Sequence, residues 1–598
     1  MALNDLLHRR VPQFVGAYIV AGWGVVQFIQ MMETRYTLSP AWVELVGLGW
    51  ILLLPAIVTL AWNHGAPGRD PWTRGQVISL VANGVTAVII LAFAFNYRDA
   101  EAATKTVSVE DENGATLTRD VPADESAARS LLSFFLETPD QGEAANHWYA
   151  RGIPYLLETD LLQDLFLDVR SAYQNRKIAE RLGASVYDIP RPMRRAIAER
   201  NHVDFYIEGT LLEIEPVKVE FCVVDPKTAR VKAKNTFSGT VFSVADEASR
   251  WIRQSIELPP EHLERNQDLP IADMVTASTE SLEAFIESNG LLVVEGDYAQ
   301  AAKFSQKSVQ ADPTNAIAQY QLFSLARLTQ ADGREVADQA MKMMITHLHR
   351  LPDRLQFMLK HYYYMNIEEP EKGLAVLELW AKLMPNDSYV HGLLSNVYRQ
   401  KGEMVAAKSA MKRSIELFPG DHESRTRLSK LYELDGEWQQ AKAVLAEMVS
   451  MYPDDSMSYV ELAELELRSG SLPDASKHFE QALLLDPANV EAKLGTLRLD
   501  VKTGRFEQAI RGLEEFIAGS KARSDRADAR AVLRDTLEQV GRLDEAMKAH
   551  LAWRKEGPQN NEFGSYIIES AVGYRIWAKA GRVDEAFAAV EEIAKGLP

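Results

Sequence analysis

The sequence predicts a multidomain protein with three parts: a membrane domain of three transmembrane helices, a small α/β domain and a C-terminal all-α solenoid. Three observations support this prediction. Three long apolar stretches follow one another near the N-terminus, strand-like and helix-like segments alternate after them, and a 34-residue period organises the second half of the chain. Because one hydrophobic core stops growing at roughly 250 to 300 residues, a chain of 598 residues is expected to divide in this way.

The apolar stretches are Val11–Met32, Trp42–Trp62 and Val77–Phe95. Each is about as long as a helix that rises roughly 1.5 Å per residue needs to cross the hydrocarbon of a membrane. A cleaved signal peptide would have one short apolar core, and a buried helical hairpin of a soluble domain would show polar faces that these stretches lack. Residues 1–98 are therefore predicted to span a lipid bilayer three times.

The basic residues around the spans predict the orientation. Four of them flank one side and a single one lies in the first loop: Arg9, Arg10, Arg69 and Arg74 against Arg35. By the positive-inside rule, the N-terminus is cytoplasmic and everything after Phe95 is periplasmic. In a bacterium, this orientation corresponds to a protein of the inner membrane.

Composition excludes several classes of function. The formal net charge of −19 argues against a nucleic-acid binder, since such proteins need a basic surface that releases counterions. Cys222 is the single cysteine, so there is no disulfide framework and no thiolate-rich metal site, and its strand-like surroundings favour a buried apolar role. His347 and His349 would point to different faces of a helix. Because motifs for phosphate binding, nucleophilic catalysis and zinc proteolysis are also missing, we predict no enzyme activity, no cofactor and no metal.

Two linkers are predicted around the α/β domain. Residues 99–125 are polar and contain the turn signal Asn113-Gly114, which indicates a linker or a loose, mobile hairpin, and residues 261–278 form the second linker. Between them, residues 126–260 alternate in pattern. Helices are predicted near 156–165, 177–182, 192–199 and 245–256, and strands at 204–212, 217–224 and 236–242.

Four segments of this domain, His147–Ile153, Ile178–Glu180, Asp204–Thr210 and Val223–Thr228, resemble the α/β domain related to the N-terminal domain of TolB. Leu131–Phe135 stands where that family has its first strand. The resemblance implies a bacterial protein in which this domain lies between a membrane segment and helical repeats. Relatives carry a DNA-binding or nucleotide-cyclase domain ahead of the membrane segment. Only ten residues precede the first span here, so any signal is expected to pass through a partner.

The 34-residue period indicates stacked helix-turn-helix units. Glycines that end the first helix of a pair, prolines that end the second and small alanines between them recur in register: Gly402, Gly436, Gly470 and Gly504; Pro385, Pro419, Pro453 and Pro487; Ala407, Ala441, Ala475 and Ala509. Together with Tyr459, Leu462, Ala463, Phe479 and Ala482, this pattern matches the tetratricopeptide (TPR) consensus. A superhelix of about eight repeats is predicted over residues 279–598.

Stacked repeats leave a concave groove, lined by the first helix of each pair, that suits an extended peptide or a partner helix. The register places eight residues on this inner face: Asn396, Arg399, Gln400, Lys430, Glu464, Arg468, Arg498 and Lys502. The five cations among them predict a site for a carboxylate or an acidic segment, although solvation alone would also explain charged residues there. Tyr362–Tyr364 is interpreted as core and groove lining rather than as a stacking platform for nucleic acid.

Two functions fit these predictions. The first is a membrane-anchored scaffold for protein–protein interaction that recruits envelope proteins through the groove. The alternative is a non-catalytic sensor that relays ligand binding to a membrane partner, which a ligand-dependent change of partners would favour. Neither the partner proteins nor the oligomeric state can be predicted from these residues.

Overall fold

The computed structural model describes residues 10–36, 41–64, 72–98, 104–122, 128–139, 147–181, 183–256, 258, 268–329, 333–556 and 573–595. The chain divides into two compact units, Met1–Lys105 and Thr106–Pro598, and each is described by itself. Arg9 and Arg69, two of the residues that predict the orientation, lie outside the described residues, as do Leu182 at the end of a predicted helix and the start of the second predicted linker.

The described part of the N-terminal unit contains the helices α1 (Val11–Tyr36), α2 (Ala41–Leu52), α3 (Leu54–His64) and α4 (Arg74–Arg98). Three segments are long and apolar enough to cross a membrane: Val11–Ile29, Val46–His64 and Arg74–Leu91. The second is interrupted at Leu53, two residues before Pro55, because proline cannot donate to the preceding turn of a helix. Only 6% of each segment is buried, which leaves a broad apolar surface exposed.

One contact between α1 and α2 depends on Gly22. The Tyr18 and Trp50 rings stack with centroids 4.7 Å apart, and the Tyr18 hydroxyl donates to the Trp50 carbonyl oxygen at 2.7 Å. A Cβ on Gly22 would lie 2.0 Å from the Trp50 Nε1. The small residue therefore admits the indole, because a position without a Cβ lets two helices approach closely.

The α/β domain contains a five-stranded mixed sheet with strand order β4-β3-β5-β6-β7. Its strands are β3 (Arg129–Ser133), β4 (Leu167–Arg170), β5 (Phe205–Ile214), β6 (Val217–Asp225) and β7 (Arg230–Gly239). Its helices are α5 (Tyr149–Leu161), α6 (Arg176–Arg181), α7 (Arg191–Arg200), α8 (Val241–Ser255) and the short α9 (Ile271–Met274). β3 runs parallel to both β4 and β5, whereas β5, β6 and β7 form an antiparallel meander. α5 packs against α8, which covers β6 and β7.

The last strand and helix of this domain are shifted relative to the predicted ranges. Thr240, expected inside a strand, begins α8 instead. Its Oγ1 accepts from the Ser243 N–H at 3.1 Å, and the Ser243 Oγ accepts from the Thr240 N–H at 2.9 Å. This reciprocal cap satisfies two backbone donors and ends β7 at Gly239. The Thr-x-x-Ser spacing was the sequence signal that the strand pattern concealed.

The second predicted linker also packs against the α/β domain. The Asp268 carboxylate lies 2.7 Å from the Arg253 guanidinium, and the Leu269 N–H donates to the Gln163 side chain at 2.9 Å. Residues 268–274 are therefore an ordered extension of the domain.

Glu158 is a buried carboxyl inside this domain, only 7% exposed. Its Oε1 accepts from the Ala172 N–H at 2.9 Å. Burial raises the pKa of Glu158 to about 7, against the lowering effect of hydrogen bonds from Ala172, Ser171 and Ser133. The folded protein therefore holds this proton over a pH range where the unfolded chain has released it.

We expect the stability of the domain to fall as pH rises between about 4.5 and 7, because only the unfolded state gains from ionising Glu158 there. Glu158→Gln keeps an acceptor for the Ala172 N–H and cannot ionise. Relative to wild type, its free energy of unfolding should rise by up to about 3 kcal/mol across this range. Denaturant unfolding followed by tryptophan fluorescence at pH 5 and pH 8 measures the change, and parallel pH profiles for the two proteins would contradict it.

The described residues of the solenoid form nine helix pairs, against about eight predicted. The first helices are α10 (Thr279–Gly290), α12 (Ala316–Thr329), α14 (Asp353–Asn366), α16 (Ser388–Gln400), α18 (His422–Leu434), α20 (Ser456–Ser469), α22 (Val490–Lys502), α24 (Arg523–Gln539) and α26 (Arg575–Lys579). The second helices are α11 (Tyr298–Ala311), α13 (Gly333–His347), α15 (Pro370–Leu383), α17 (Met404–Leu417), α19 (Trp438–Met451), α21 (Leu472–Leu485), α23 (Phe506–Gly519), α25 (Leu543–Glu556) and α27 (Val583–Lys595).

The predicted turn chemistry is present in the repeats. Gly402, Gly436, Gly470 and Gly504 all have φ between +76° and +84°, the left-handed conformation that ends a helix at low cost for glycine. The alanines five residues after these glycines are 0% exposed: Ala407, Ala441, Ala475 and Ala509. The Ser395 hydroxyl donates to the Ala407 carbonyl oxygen at 2.8 Å, which shows how closely the two helices of a pair approach.

The pair α14/α15 departs from this rule, because Glu368 occupies the position equivalent to Gly402 in the preceding repeat. Its φ is +61°, and a residue with a Cβ is strained in this conformation. Glu368 is exposed, so its side chain contributes little packing in return.

Glu368→Gly should therefore raise the free energy of unfolding by up to about 1 kcal/mol, since relief of strain outweighs the added freedom of the unfolded chain. The neighbouring Glu369 has a φ of −109°, so Glu369→Gly is a matched control that should lower stability. Urea unfolding of both variants by circular dichroism tests this, and a shift of the same sign in both would exclude the strain explanation.

The α/β domain contacts the middle of the solenoid. The Arg170 guanidinium lies 3.7 Å from the centroid of the Phe418 ring, and Arg200 forms an ion pair with Asp454. Gly420 lies so close to the domain that an added Cβ would be 2.6 Å from the carbonyl oxygen of Arg200. The two parts therefore share an interface that combines cation–π stacking, charge pairing and close backbone approach.

Residues 104–122 form a β-hairpin of β1 (Thr104–Glu110) and β2 (Thr116–Pro122) where the sequence predicts a linker or a mobile hairpin. The hairpin packs on the solenoid. Val121, only 3% exposed, joins the apolar cluster of Phe357 and Trp380, with Val107 and Leu117 against the same cluster. Apolar residues in an otherwise polar segment thus have partners in a distant part of the sequence.

Two ion pairs fix the hairpin to α14. Arg119 lies 2.6 Å from Asp353, and Glu112 at the hairpin turn lies 2.9 Å from Lys360. The Tyr364 hydroxyl donates to the same Glu112 carboxylate at 3.3 Å. The hairpin thus has both apolar and charged contacts with the solenoid.

Candidate peptide-binding groove

The candidate groove is built from the first helices α14, α16, α18, α20 and α22. The repeat period places equivalent residues side by side on successive helices, where they form rows along the solenoid. The first row contains Tyr362, Asn396, Lys430, Glu464 and Arg498. The second contains Asn366, Gln400, Leu434, Arg468 and Lys502, and the third contains Met365, Arg399 and Glu433. All eight predicted groove residues fall in these rows.

Exposure of the side chains agrees with an inner surface. Arg399, Gln400, Lys430, Arg468 and Lys502 are exposed, whereas Asn396, Glu464 and Arg498 are half-buried. The residues that alternate with them, such as Leu428, Leu462 and Leu494, are at most 4% exposed and form the core. Each first helix therefore presents one face to its own repeat and another to solvent.

Two of the five predicted cations are neutralised within the groove. Arg468 makes a two-pronged contact with Glu433, with N···O distances of 2.8 and 3.1 Å. Arg498 lies 3.1 Å from Glu464, which also lies 3.8 Å from Arg468. The result is a chain of alternating charges across three repeats, Glu433–Arg468–Glu464–Arg498, with no net charge.

The other three cations are different. Among the residues that the structure describes, no carboxylate forms an ion pair with Arg399, Lys430 or Lys502. Arg399 and Lys430 come from the neighbouring first helices α16 and α18, and Lys430 lies one turn before Leu434, which is 60% exposed. This stretch of the groove therefore combines net positive charge with an apolar side chain.

The three consecutive tyrosines, interpreted from the sequence as core and groove lining, have different surroundings in the structure. Tyr364 holds the hairpin, and Tyr363 packs against the apolar cluster around Met341 and Met344. Tyr362 belongs to the groove row, and its ring stacks on Tyr320 from α12 with centroids 5.4 Å apart. Its position one repeat period before Asn396 was the signal that could have placed it there.

A third tyrosine completes this end of the groove. The hydroxyl groups of Tyr362 and Tyr389 lie 3.1 Å apart at an exposed site, and Tyr389 is 41% exposed. Burial raises the pKa of Tyr320 and of Tyr389, and the neighbouring Tyr362 raises both further. The hydroxyls therefore stay protonated and remain hydrogen-bond donors at neutral pH.

A family model described as tetratricopeptide repeat matches residues 460–510. The matched helix pairs of residues 460–510 are therefore of the TPR type. This match covers α20 to α23, the part in which glycine, alanine and proline recur most regularly. TPR solenoids form surfaces for protein–protein interaction, so protein partners are the expected ligands of the groove.

Several solved structures are similar over parts of the chain. Yeast Tom70 is 14% identical, with 54% of this chain and 68% of that chain covered and a TM-score of 0.38. PilW, a widely conserved type IV pilus biogenesis factor, is 15% identical, with 36% and 98% covered and a TM-score of 0.28. MamA from Desulfovibrio magneticus RS-1 is 18% identical, with 27% and 92% covered and a TM-score of 0.23. These TM-scores are too low to support a functional inference, and no curated protein matches the chain.

Proposed function

We propose that this protein is a non-catalytic, membrane-anchored scaffold whose TPR groove binds acidic, extended segments of partner proteins. The observation that supports it is the division of the groove cations. Arg468 and Arg498 already have carboxylate partners within the chain, whereas Arg399 and Lys430 present their charges to solvent beside Leu434. In a chain of net charge −19, exposed positive charge on an inner surface favours a ligand with carboxylates.

The apolar helices suggest where such a scaffold acts. We place α1 to α4 in the inner membrane of a bacterium, with residues 106–598 in the periplasm, on the basis of the charge distribution around the spans. The groove would then recruit proteins of the cell envelope.

Reversal of two groove charges tests the proposed ligand class. Arg399→Glu/Lys430→Glu should weaken binding of a fluorescent extended peptide with four Asp or Glu residues by at least about tenfold, since attraction becomes repulsion. The matched control is Lys477→Glu/Arg511→Glu, with the same change of net charge at exposed positions of the second helices α21 and α23. Fluorescence anisotropy with the full chain in detergent measures both. Equal losses in the two variants would indicate a non-specific charge effect and overturn the proposal.

Reporter fusions test the location separately. Alkaline phosphatase needs the disulfides that form in the periplasm, so its fusion to the C-terminus of the full chain should be active. A green fluorescent protein fused at the same point should remain dark. The opposite pattern would place the repeats in the cytoplasm and would leave the proposed ligand class to be decided by the peptide experiment.

A further inference from the structure

The groove carries an aromatic site at the end nearer the N-terminus. Tyr320, Tyr362 and Tyr389 come from three successive first helices, α12, α14 and α16. The rings of Tyr320 and Tyr362 stack at an interplanar angle of 25°, and the hydroxyls of Tyr362 and Tyr389 meet at 3.1 Å. This arrangement presents ring surface and hydroxyl groups together, and Tyr362 belongs to the row that continues to Lys430.

The three tyrosines differ in how much they contribute to the core. Tyr320 packs against the apolar cluster that contains Leu359, whereas Tyr362 and Tyr389 lie outside the apolar clusters of the described residues. The fully buried Trp380 ring lies 6.1 Å from that of Tyr389. The hydroxyl pair of Tyr362 and Tyr389 lies at the surface. Partly exposed aromatic side chains with a polar tip are typical of binding surfaces, because they offer large contact area at low entropic cost.

The chemistry of the site favours proline over other side chains. A segment in the polyproline II conformation has no internal hydrogen bonds, so its carbonyl oxygens accept from hydroxyls while its rings pack on aromatic faces. A basic peptide would suit the ring faces, but its residues further along the groove would be repelled by Arg399 and Lys430. The same two cations would attract carboxylates further along the peptide.

We propose that Tyr320, Tyr362 and Tyr389 form a subsite for a proline-rich stretch of the ligand whose acidic part lies over Arg399 and Lys430. This inference rests on the proposed function of the groove, and it adds a proline-rich stretch to the acidic segment of the ligand.

The spacing of the helices sets the length of the ligand. First helices of neighbouring repeats contact each other, as α20 does with α22, and packed helices lie about 8 to 10 Å apart. Tyr362 and Lys430 are two repeats apart, so roughly 20 Å separates their helices. A polyproline II segment advances about 3.1 Å per residue, which gives about six residues between the prolines and the carboxylates.

Four fluorescent peptides test the proposal with the full chain in detergent. The first peptide has a run of five prolines followed by four acidic residues. A spacer between them sets the centre of the proline run about six residues from the first acidic residue. The second replaces the prolines by alanine, the third replaces them by leucine, and the fourth keeps the prolines but replaces the acids by Asn and Gln. The variants are Tyr362→Ala/Tyr389→Ala, Tyr362→Phe/Tyr389→Phe and Arg399→Glu/Lys430→Glu, each checked for helix content by circular dichroism.

Wild type should bind the proline peptide at least about tenfold tighter than the alanine peptide. Tyr362→Ala/Tyr389→Ala should remove this difference between the two peptides. If that variant does not fold, the phenylalanine pair, which keeps the rings and loses only the hydroxyls, should still reduce the preference for proline about threefold, roughly the effect of losing one hydrogen bond.

The outcomes separate this inference from the proposed function. If wild type binds the proline, alanine and leucine peptides equally, and charge reversal weakens all three, the proline subsite is excluded while the acidic-ligand groove stands. If leucine binds as tightly as proline and tighter than alanine, the site is a general apolar one and the inference fails. If the peptide without acids binds as tightly as the first, and the tyrosine variant alone weakens it, the subsite stands and the acidic-ligand function fails.

Discussion

The whole C-terminal architecture depends on how closely the two helices of each repeat approach. A single methyl group separates them at Ala407, Ala441, Ala475 and Ala509, each fully buried, and the left-handed glycines reverse the chain just before these positions. Since this contact recurs at a constant spacing in successive repeats, equivalent residues of their first helices must lie side by side. The rows of the groove are a direct result of that repeat. For the same reason, the repeat period alone predicts which residues line the groove.

Charge along the groove is distributed unevenly because neighbouring repeats pair their own side chains. Glu433 belongs to the same row as Arg399, one repeat further on, yet it bonds Arg468 rather than a ligand. The half-buried Glu464 holds Arg498 in the same way. Such exposed or half-exposed pairs contribute little to stability, about 0 to 1 kcal/mol each. Their larger effect is on recognition, since the remaining positive charge of the groove comes from Arg399 on α16, Lys430 on α18 and Lys502 on α22.

Local signals predicted the repeats, the long apolar helices and the main strands, because helix period, turn residues and strand alternation act within about twenty residues. Contacts between distant segments were beyond these signals. The apolar positions of the hairpin are too few to predict its docking, and its partners Phe357 and Trp380 lie far along the chain. The register of the groove residues was predictable from the repeat period. The pairing of Arg468 with Glu433 was not, because the two residues belong to different rows on neighbouring first helices. Thr240 shows a third case, in which strand-forming residues concealed a helix cap.

The docked hairpin also affects the order in which the parts of the chain fold. Its ion pair between Arg119 and Asp353 joins residues 234 positions apart, so residues 104–122 must wait for α14 and α15 to be synthesised before they can pack. Solenoids usually fold by nearest-neighbour contacts that can nucleate anywhere, whereas here an early segment and the α/β domain both attach to the centre. Non-local closure of this kind slows folding and leaves the apolar side chains of the hairpin, such as Val121, without their partners until the central repeats have formed. Docking of the hairpin should therefore be a late step in the folding of this chain.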